Sequence, residues 1–220
     1  MNQEEDKKKT DYFIKELEER RLEKDSESIV RKSEMIQYLS KFKAKFPCLE
    51  NIELSRADLC GVDFSGVDLD AANLSEALLI GADLSQAYLV NINCWKANLG
   101  GANLFGSNID GADFREANLA KIDLSEASLC GAKLGGADMG ARADFSETDF
   151  SGANLRGAIM KNGRFLNTIF ENADLSGADL TLSEELTADQ IRLAIIDQKT
   201  KLPEHIIVHW NSDGSFECNS

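Results

Sequence analysis

The chain has 220 residues, 43% of them hydrophobic, enough for one large domain or two small ones with a buried core. Its formal net charge of −14 excludes a general nucleic-acid-binding surface, because phosphate contacts need Lys and Arg. Five scattered Cys and two His exclude a zinc site or a disulfide framework: no Cys pair has CxxC spacing, and His205 and His209 lie far from every Cys except Cys218.

The charge is uneven along the chain. Residues 1–50 hold 12 acidic and 12 basic side chains, residues 51–182 hold 19 and 9, and residues 183–220 hold 7 and 3. The start, MNQEEDKKKTDYF, has no apolar core of signal-peptide length. No run of about 18 apolar residues exists, so no membrane span is expected. A cytoplasmic, reducing location is the default expectation.

Residues 1–50 lack repeats and read as a helical N-terminal cap region. DYFIKELEERRLEK places Phe13, Ile14 and Leu17 at helical spacing. SESIVRKSEMIQYLSKFKAKF gathers Ile29, Ile36, Leu39, Phe42 and Phe46 on one side, and Pro47 closes it. A sustained heptad is absent, so a packed cap is expected rather than a coiled coil.

From residue 51 the period changes. Large apolar centres recur every fifth residue from Leu54 to Met139, slip by one within MGARADF, and resume from Phe145 to Leu180, giving 26 repeats. On a helix, five residues advance about 140° net and no stripe forms. On a straight strand, an odd step alternates faces. The chain must therefore turn once in every five residues. Two places before the centre sits a small residue, as at Ala57, Ala72, Ala77 and Ala82, and between them stands an outward Asp or Asn. Gly61, Gly66 and Gly81 fill corners, where unusual dihedrals are needed. The one-residue slip reads as a bulge or corner loop.

The units ADLCG, ANLSE, ADLSQ, ANLGG, ADFRE, ANLAK, ANLRG and ADLSG closely resemble the pentapeptide-repeat family over about residues 52–182. The resemblance implies an all-β solenoid: a right-handed quadrilateral parallel β-helix with α-helical N- and C-terminal caps. Four repeats then make one square coil. At an interstrand distance of about 4.8 Å this gives roughly 6.5 coils in a rod roughly 30 Å long.

Residues 183–220 read as a C-terminal capping helix and tail. Thr187 and Gln190 match a capping box, so a helix is expected near Ala188, with Ile191, Ala194 and Ile195 on one face. It would lie across the last coil, whose open end needs cover. WNSDGSFECNS looks loosely ordered.

Outward carboxylates such as Asp58, Asp63, Asp68 and Asp83 belong to the repeat everywhere and do not mark a site. A filled coil offers no pocket of converging groups, so no catalytic residue, metal or cofactor is expected. More informative are outward positions that are apolar: Leu78, Ile80, Tyr88, Val90, Trp95 and Phe105, all near the second and third coils. Tyr88 and Val90 share a face, with Trp95 on the next one round. Either the N-terminal helix lies back over this belt, the reading placed somewhat ahead, or the belt is a partner-binding or homodimer surface. Ile159, Leu166 and Ile169 form a smaller set on different faces.

Two functions follow. The first is a non-enzymatic scaffold presenting flat faces to an unknown protein partner, without direct nucleic-acid binding. The second comes from the resemblance: some family members match a DNA duplex in width and negative charge and act on type II topoisomerases such as gyrase. The acidity fits an acidic DNA mimic; the absence of long projecting loops, and acidic side chains that look spread over all faces, place it second. Nothing in the sequence specifically supports a secreted-effector role.

Overall fold

The computed structural model describes residues 3–41, 46 and 48–219. Phe42 and Pro47, named above as part of the second helix and its stop, lie outside the described residues.

From Glu53 onward, parallel bridges join residues twenty apart, as in Glu53–Asn73–Asn93–Asp113, and twenty-one apart where the slip intervenes, as in Asp123–Asp144. Four such ladders run up the rod. We number the faces by them: face 1 starts at Glu53, face 2 at Asp58, face 3 at Asp63 and face 4 at Asp68. The coil path begins at Leu49, whose N–H donates to Asp68 O at 3.0 Å and whose side chain is buried.

A repeat with Asp or Asn before its centre accounts for its five backbone N–H groups. The centre donates up the rod (Leu74 to Asn93 O, 2.7 Å), as does the residue two after it (Glu76 to Trp95 O, 2.8 Å). The residue before the centre donates down (Asn73 to Ile52 O, 2.9 Å), and the residue three after it closes the turn (Ala77 to Leu74 O, 3.0 Å). That turn holds its third residue at positive φ, as at Arg56 (61°), Glu76 (59°) and Gly81 (64°), the pattern of a type II turn. The fifth N–H, just after the centre, is met by a side chain: Ser75 N donates to Asn73 Oδ1 at 3.1 Å and Ser85 N to Asp83 Oδ1 at 3.0 Å. An Asp or Asn before the centre thus satisfies the donor that the coil cannot.

Inside, centres and small residues stack in buried columns. Toward the C-terminal end the columns become aromatic, with Phe145 on Phe165 (centroids 4.9 Å apart) and Phe150 on Phe170 (5.6 Å). The slip adds one residue at a corner, where Ala141 and Arg142 both take positive φ.

The two ends of the repeat region carry different elements. α1 (Gln3–Glu19) and α2 (Ser26–Lys41) pair through Glu16, which accepts from Arg31 Nε and Nη2 at 3.1 and 2.9 Å. Asp25 caps α2 by accepting from Ser28 N at 2.9 Å. The fully buried Lys32 donates to Glu23 O at 2.7 Å, tying the α1–α2 turn. Among the described residues, α2 meets the first coil: Gln37 Nε2 donates to Asp58 O and Asp63 N to Ser40 Oγ, both at 2.9 Å, and beyond the helix the Phe46 ring lies 5.4 Å from that of Phe64.

At the other end the chain keeps winding after the repeats stop. Ile195 adds a bridge to Asp174 on face 1 and Lys201 one to Asp179 on face 2. Between them and the last repeat sits α3 (Ala188–Arg192), with Thr187 and Gln190 forming the capping box. Gln190 Nε2 also donates to Phe165 O and Thr168 O, both at 2.8 Å, which covers the last coil. α3 ends before Ile195, so Ile191 and Ala194 are buried while Ile195 points out as a coil residue. The tail is an antiparallel hairpin of β1 (Ile207–Trp210) and β2 (Phe216–Asn219), against the expected loose order. The buried Cys218 anchors it, donating from Sγ to Ala188 O at 3.2 Å.

Candidate interaction surfaces

The six apolar positions sit on coils two and three but on all four faces: Trp95 on face 1, Leu78 and Ile80 on face 2, Phe105 on face 3, and Tyr88 and Val90 on face 4. Leu78 (42% exposed), Ile80 (47%) and Tyr88 (56%) are open, and Val90, Trp95 and Phe105 are half-buried. The N-terminal helices do not lie over them. That expectation is corrected by the exposure of Leu78, Ile80 and Tyr88 and, among the described residues, by the hydrogen bonds of α2 to Asp58 and Asp63 on the first coil.

Four of the six fall into two pairs at diagonally opposite corners. Gln86 N donates to Phe105 O at 2.8 Å, and Tyr88 bridges Asn108, so Phe105 and Tyr88 flank the corner between faces 3 and 4, while Val90, whose carbonyl accepts from Ala71 N, stands at the next corner, between faces 4 and 1. In the same way Glu76 N donates to Trp95 O at 2.8 Å and Leu78 bridges Asn98, placing Trp95 and Leu78 about the corner between faces 1 and 2, while Ile80, whose carbonyl accepts from Gly61 N, stands at the corner between faces 2 and 3. At the corner between faces 1 and 2, Lys96 Nζ stands 4.3 Å from the Trp95 ring centroid, a cation–π contact.

At Leu78 and Tyr88 the Asp/Asn of the repeat is missing, so the local side-chain cap is lost. For Tyr88 a substitute is in place: Asp70, one coil below, reaches up so that Val90 N donates to its Oδ1 at 2.8 Å. Asp110 does the same for Cys130 N at 2.9 Å, where Ser128 stands in the Asp/Asn position. Sequence reasoning missed both roles; an Asp just after the centre, twenty residues before a repeat without Asx, was the available signal.

The charges are sorted by face. Within residues 51–182, face 1 carries Glu53, Glu76, Asp113, Glu116 and Asp174 against Arg56, Lys96, Arg115, Lys133 and Arg156. Face 2 carries Asp58, Asp138 and Asp179 against Lys121, Arg142 and Lys161. Both are neutral. Face 3 carries Asp63, Asp83, Asp123, Glu126, Asp144 and Glu147 against Arg164 alone, and face 4 carries Asp68, Asp70, Asp110, Asp149 and Glu171 against no base. All the excess negative charge of the repeats therefore lies on two adjacent faces, which corrects the expectation that it is spread evenly. The ion pairs follow the same division. Arg56–Glu76 (3.0 Å), Lys96–Glu116 (3.5 Å), Arg115–Asp113 (2.5 Å) and Arg156–Asp174 (2.9 Å) all lie on face 1. The hydrogen bond from Arg115 holds the Asp113 carboxyl below its usual range. On face 4, burial opposes ionisation of Asp149, yet hydrogen bonds from the Ser151 hydroxyl and amide lower its pKa overall.

Among the described residues no group of three His, Cys, Asp or Glu side chains is placed to hold a metal ion, and no helix is long and apolar enough to cross a membrane. Burial pushes the Cys94 thiol, inside a column, far above its ordinary pKa.

The family model for pentapeptide repeats matches the chain in eight copies, over residues 47–75, 68–106, 82–119, 107–141, 122–162 and 148–183. The chain belongs to the pentapeptide-repeat family. Pentapeptide-repeat proteins form right-handed β-helices, and the four ladders are that architecture in this chain. Among solved structures it is similar to HetL, a pentapeptide-repeat protein involved in heterocyst differentiation regulation from the cyanobacterium Nostoc sp. strain PCC 7120. The identity is 32%, covering 72% of each chain, with a TM-score of 0.31. It is also similar to QnrB1, a plasmid-mediated fluoroquinolone resistance protein, at 23% identity over 68% of this chain and 83% of that one, with a TM-score of 0.32. A third similar structure is a pentapeptide-repeat protein from the Arabidopsis thaliana thylakoid lumen, at 30% identity over 54% and 65% of the two chains, with a TM-score of 0.23. Among curated proteins nothing matches the chain.

Proposed function

We propose that this pentapeptide-repeat protein is a non-enzymatic scaffold whose rod presents its faces to a protein partner. The observation that carries the reading is the group of exposed apolar side chains, above all Tyr88, on a rod whose own hydrogen bonding calls for Asp or Asn there. Large exposed apolar side chains in one zone favour contact with another protein. The test is a pull-down from native lysate with the intact protein and with Tyr88→Ser/Trp95→Ser, each checked for folding by circular dichroism. The expected result is a partner held by the intact protein and lost by the variant. If both hold the same set, or neither holds any, this surface is not the point of contact.

The segregation of acid onto faces 3 and 4 favours a second reading, an acidic DNA mimic acting on a type II topoisomerase. A supercoiling assay with gyrase tests it, and no effect at stoichiometric excess would sink it.

A further inference from the structure

Of the two apolar groups, only one lies inside the acidic half. Tyr88 and Phe105 flank the corner between faces 3 and 4, and the same corner carries Glu126 and Glu147 further up the rod. The other group has neutral surroundings, and its largest member, Trp95, already has Lys96 against its ring. The two corners therefore differ in what they lack. The first offers apolar surface and a field of carboxylates with Arg164 as the one base that residues 51–182 place on those two faces, whereas the second has its cations built in.

From this we infer that the corner between faces 3 and 4, at coils two and three, is a docking surface for a cationic protein segment: Lys or Arg side chains flanking a central apolar one. The inference rests on the scaffold reading and names the site and the partner's chemistry. Charge complementarity selects the occupant. A nucleic acid or an acidic surface would be repelled by faces 3 and 4, and a purely apolar partner would leave their carboxylates facing it. The apolar group supplies the anchor, since an aromatic residue enclosed by a polar rim is the usual form of an interface hot spot. The Asp70 bond to Val90 N keeps the backbone intact beneath Tyr88, so the tyrosine is held at the surface by a rigid support. Contact is one-sided, because faces 1 and 2 carry no net charge to hold a basic partner.

The probe is a fluorescein-labelled helical peptide of Lys and Arg with Leu along one stripe. Its companion has the same charges and Ser in place of Leu. Fluorescence anisotropy is measured with the full chain and three variants: Tyr88→Ser/Phe105→Ser, Glu126→Gln/Glu147→Gln and, on the opposite corner, Leu78→Ser/Trp95→Ser. The expected result is saturable binding of the Leu peptide that weakens with salt. Both changes at the corner between faces 3 and 4 should weaken it by about tenfold, and the opposite pair should leave it unchanged. The Glu→Gln pair alters only exposed side chains, so its outcome stands even if the Tyr88/Phe105 variant fails to fold. Equal binding of the two peptides, loss on changing Leu78 and Trp95, or no saturable binding would each overturn the inference. A lysate partner lost through Leu78→Ser/Trp95→Ser alone would overturn it while leaving the scaffold reading standing.

Discussion

Faces 1 and 2 and faces 3 and 4 share one interior and differ in their exteriors. Inside, every face contributes a buried column of large centres and small neighbours, aromatic toward the C-terminal end under faces 3 and 4. Outside, one half neutralises its acids with ion pairs along face 1, while the other carries its acids along faces 3 and 4 with little base to offset them. The repeat fixes what points inward and constrains two outward positions, the Asx that caps the turn and the turn residue held at positive φ. The remaining outward positions are free of the fold, so the way they are filled is where function can be read.

If the interior is indifferent to the exterior, equivalent truncations on the two halves must cost the same. Leu99 lies under face 2 and Leu129 under face 4, both fully enclosed. Leu99→Ala and Leu129→Ala should each lose about 2–5 kcal/mol in chemical denaturation. A markedly cheaper loss on the acidic half would show that charge repulsion already strains those coils and would break the comparison.

A smaller effect is expected at Gly163, where most repeats carry Ala. A Cβ there would stand 2.7 Å from the Phe145 ring, 2.9 Å from that of Phe165 and 3.0 Å from Met160 O. Gly163→Ala, which restores the consensus, should therefore destabilise by about 1–3 kcal/mol through overpacking. Combining it with Phe145→Leu should recover part of that loss, as read from the denaturation midpoint.

That contrast shows how far the sequence could be read. The five-residue period, the centres and the capping box at Thr187 and Gln190 are local patterns, and all were legible. Gly163 is explained by two rings that meet it across the coil, one of them eighteen residues away. The hairpin around Cys218 depends on the Cys218–Ala188 contact, which no local pattern announces. The charge segregation was present in the sequence but invisible along it. It emerges only when residues are grouped by twenties, with the slip between Met139 and Phe145 taken into account. The six apolar residues were legible as exceptions to the repeat; the meeting of Tyr88 with Phe105 and of Leu78 with Trp95 at two opposite corners was not, because it depends on which side of a turn each stands.

The turn cap is the next test. Asp123 Oδ1 accepts from Ser125 N at 3.0 Å. Asp123→Ala leaves that donor unmet and should cost about 0.5–1.5 kcal/mol. Asp123→Asn keeps the acceptor and should recover the loss. Equal destabilisation by both would mean that the charge, not the hydrogen bond, sets the residue.

The smallest effect separates the two halves most directly. Asp113 on face 1 and Asp123 on face 3 occupy the same place in the repeat, and in each an Asn preserves the cap. Asp113 also accepts from the Arg115 guanidinium, and that bond depresses its folded pKa below the 3.8 of a free aspartate. Its contribution is therefore present above that value and is lost as pH falls through the lower folded pKa, because the unfolded chain then binds the proton first. Asp113→Asn should remove a stabilisation of a few tenths to about 1 kcal/mol near neutrality and flatten the acid limb of the stability curve. Asp123→Asn takes a carboxylate out of an acidic surface and should be neutral or slightly stabilising at low salt. Raising the salt should bring the two variants together, since screening weakens attraction on one half and repulsion on the other. If Asp123→Asn instead costs as much as Asp113→Asn at every salt concentration, the carboxylates of face 3 are satisfied by the fold itself, and the acidic half would lose its unsatisfied demand for a basic partner.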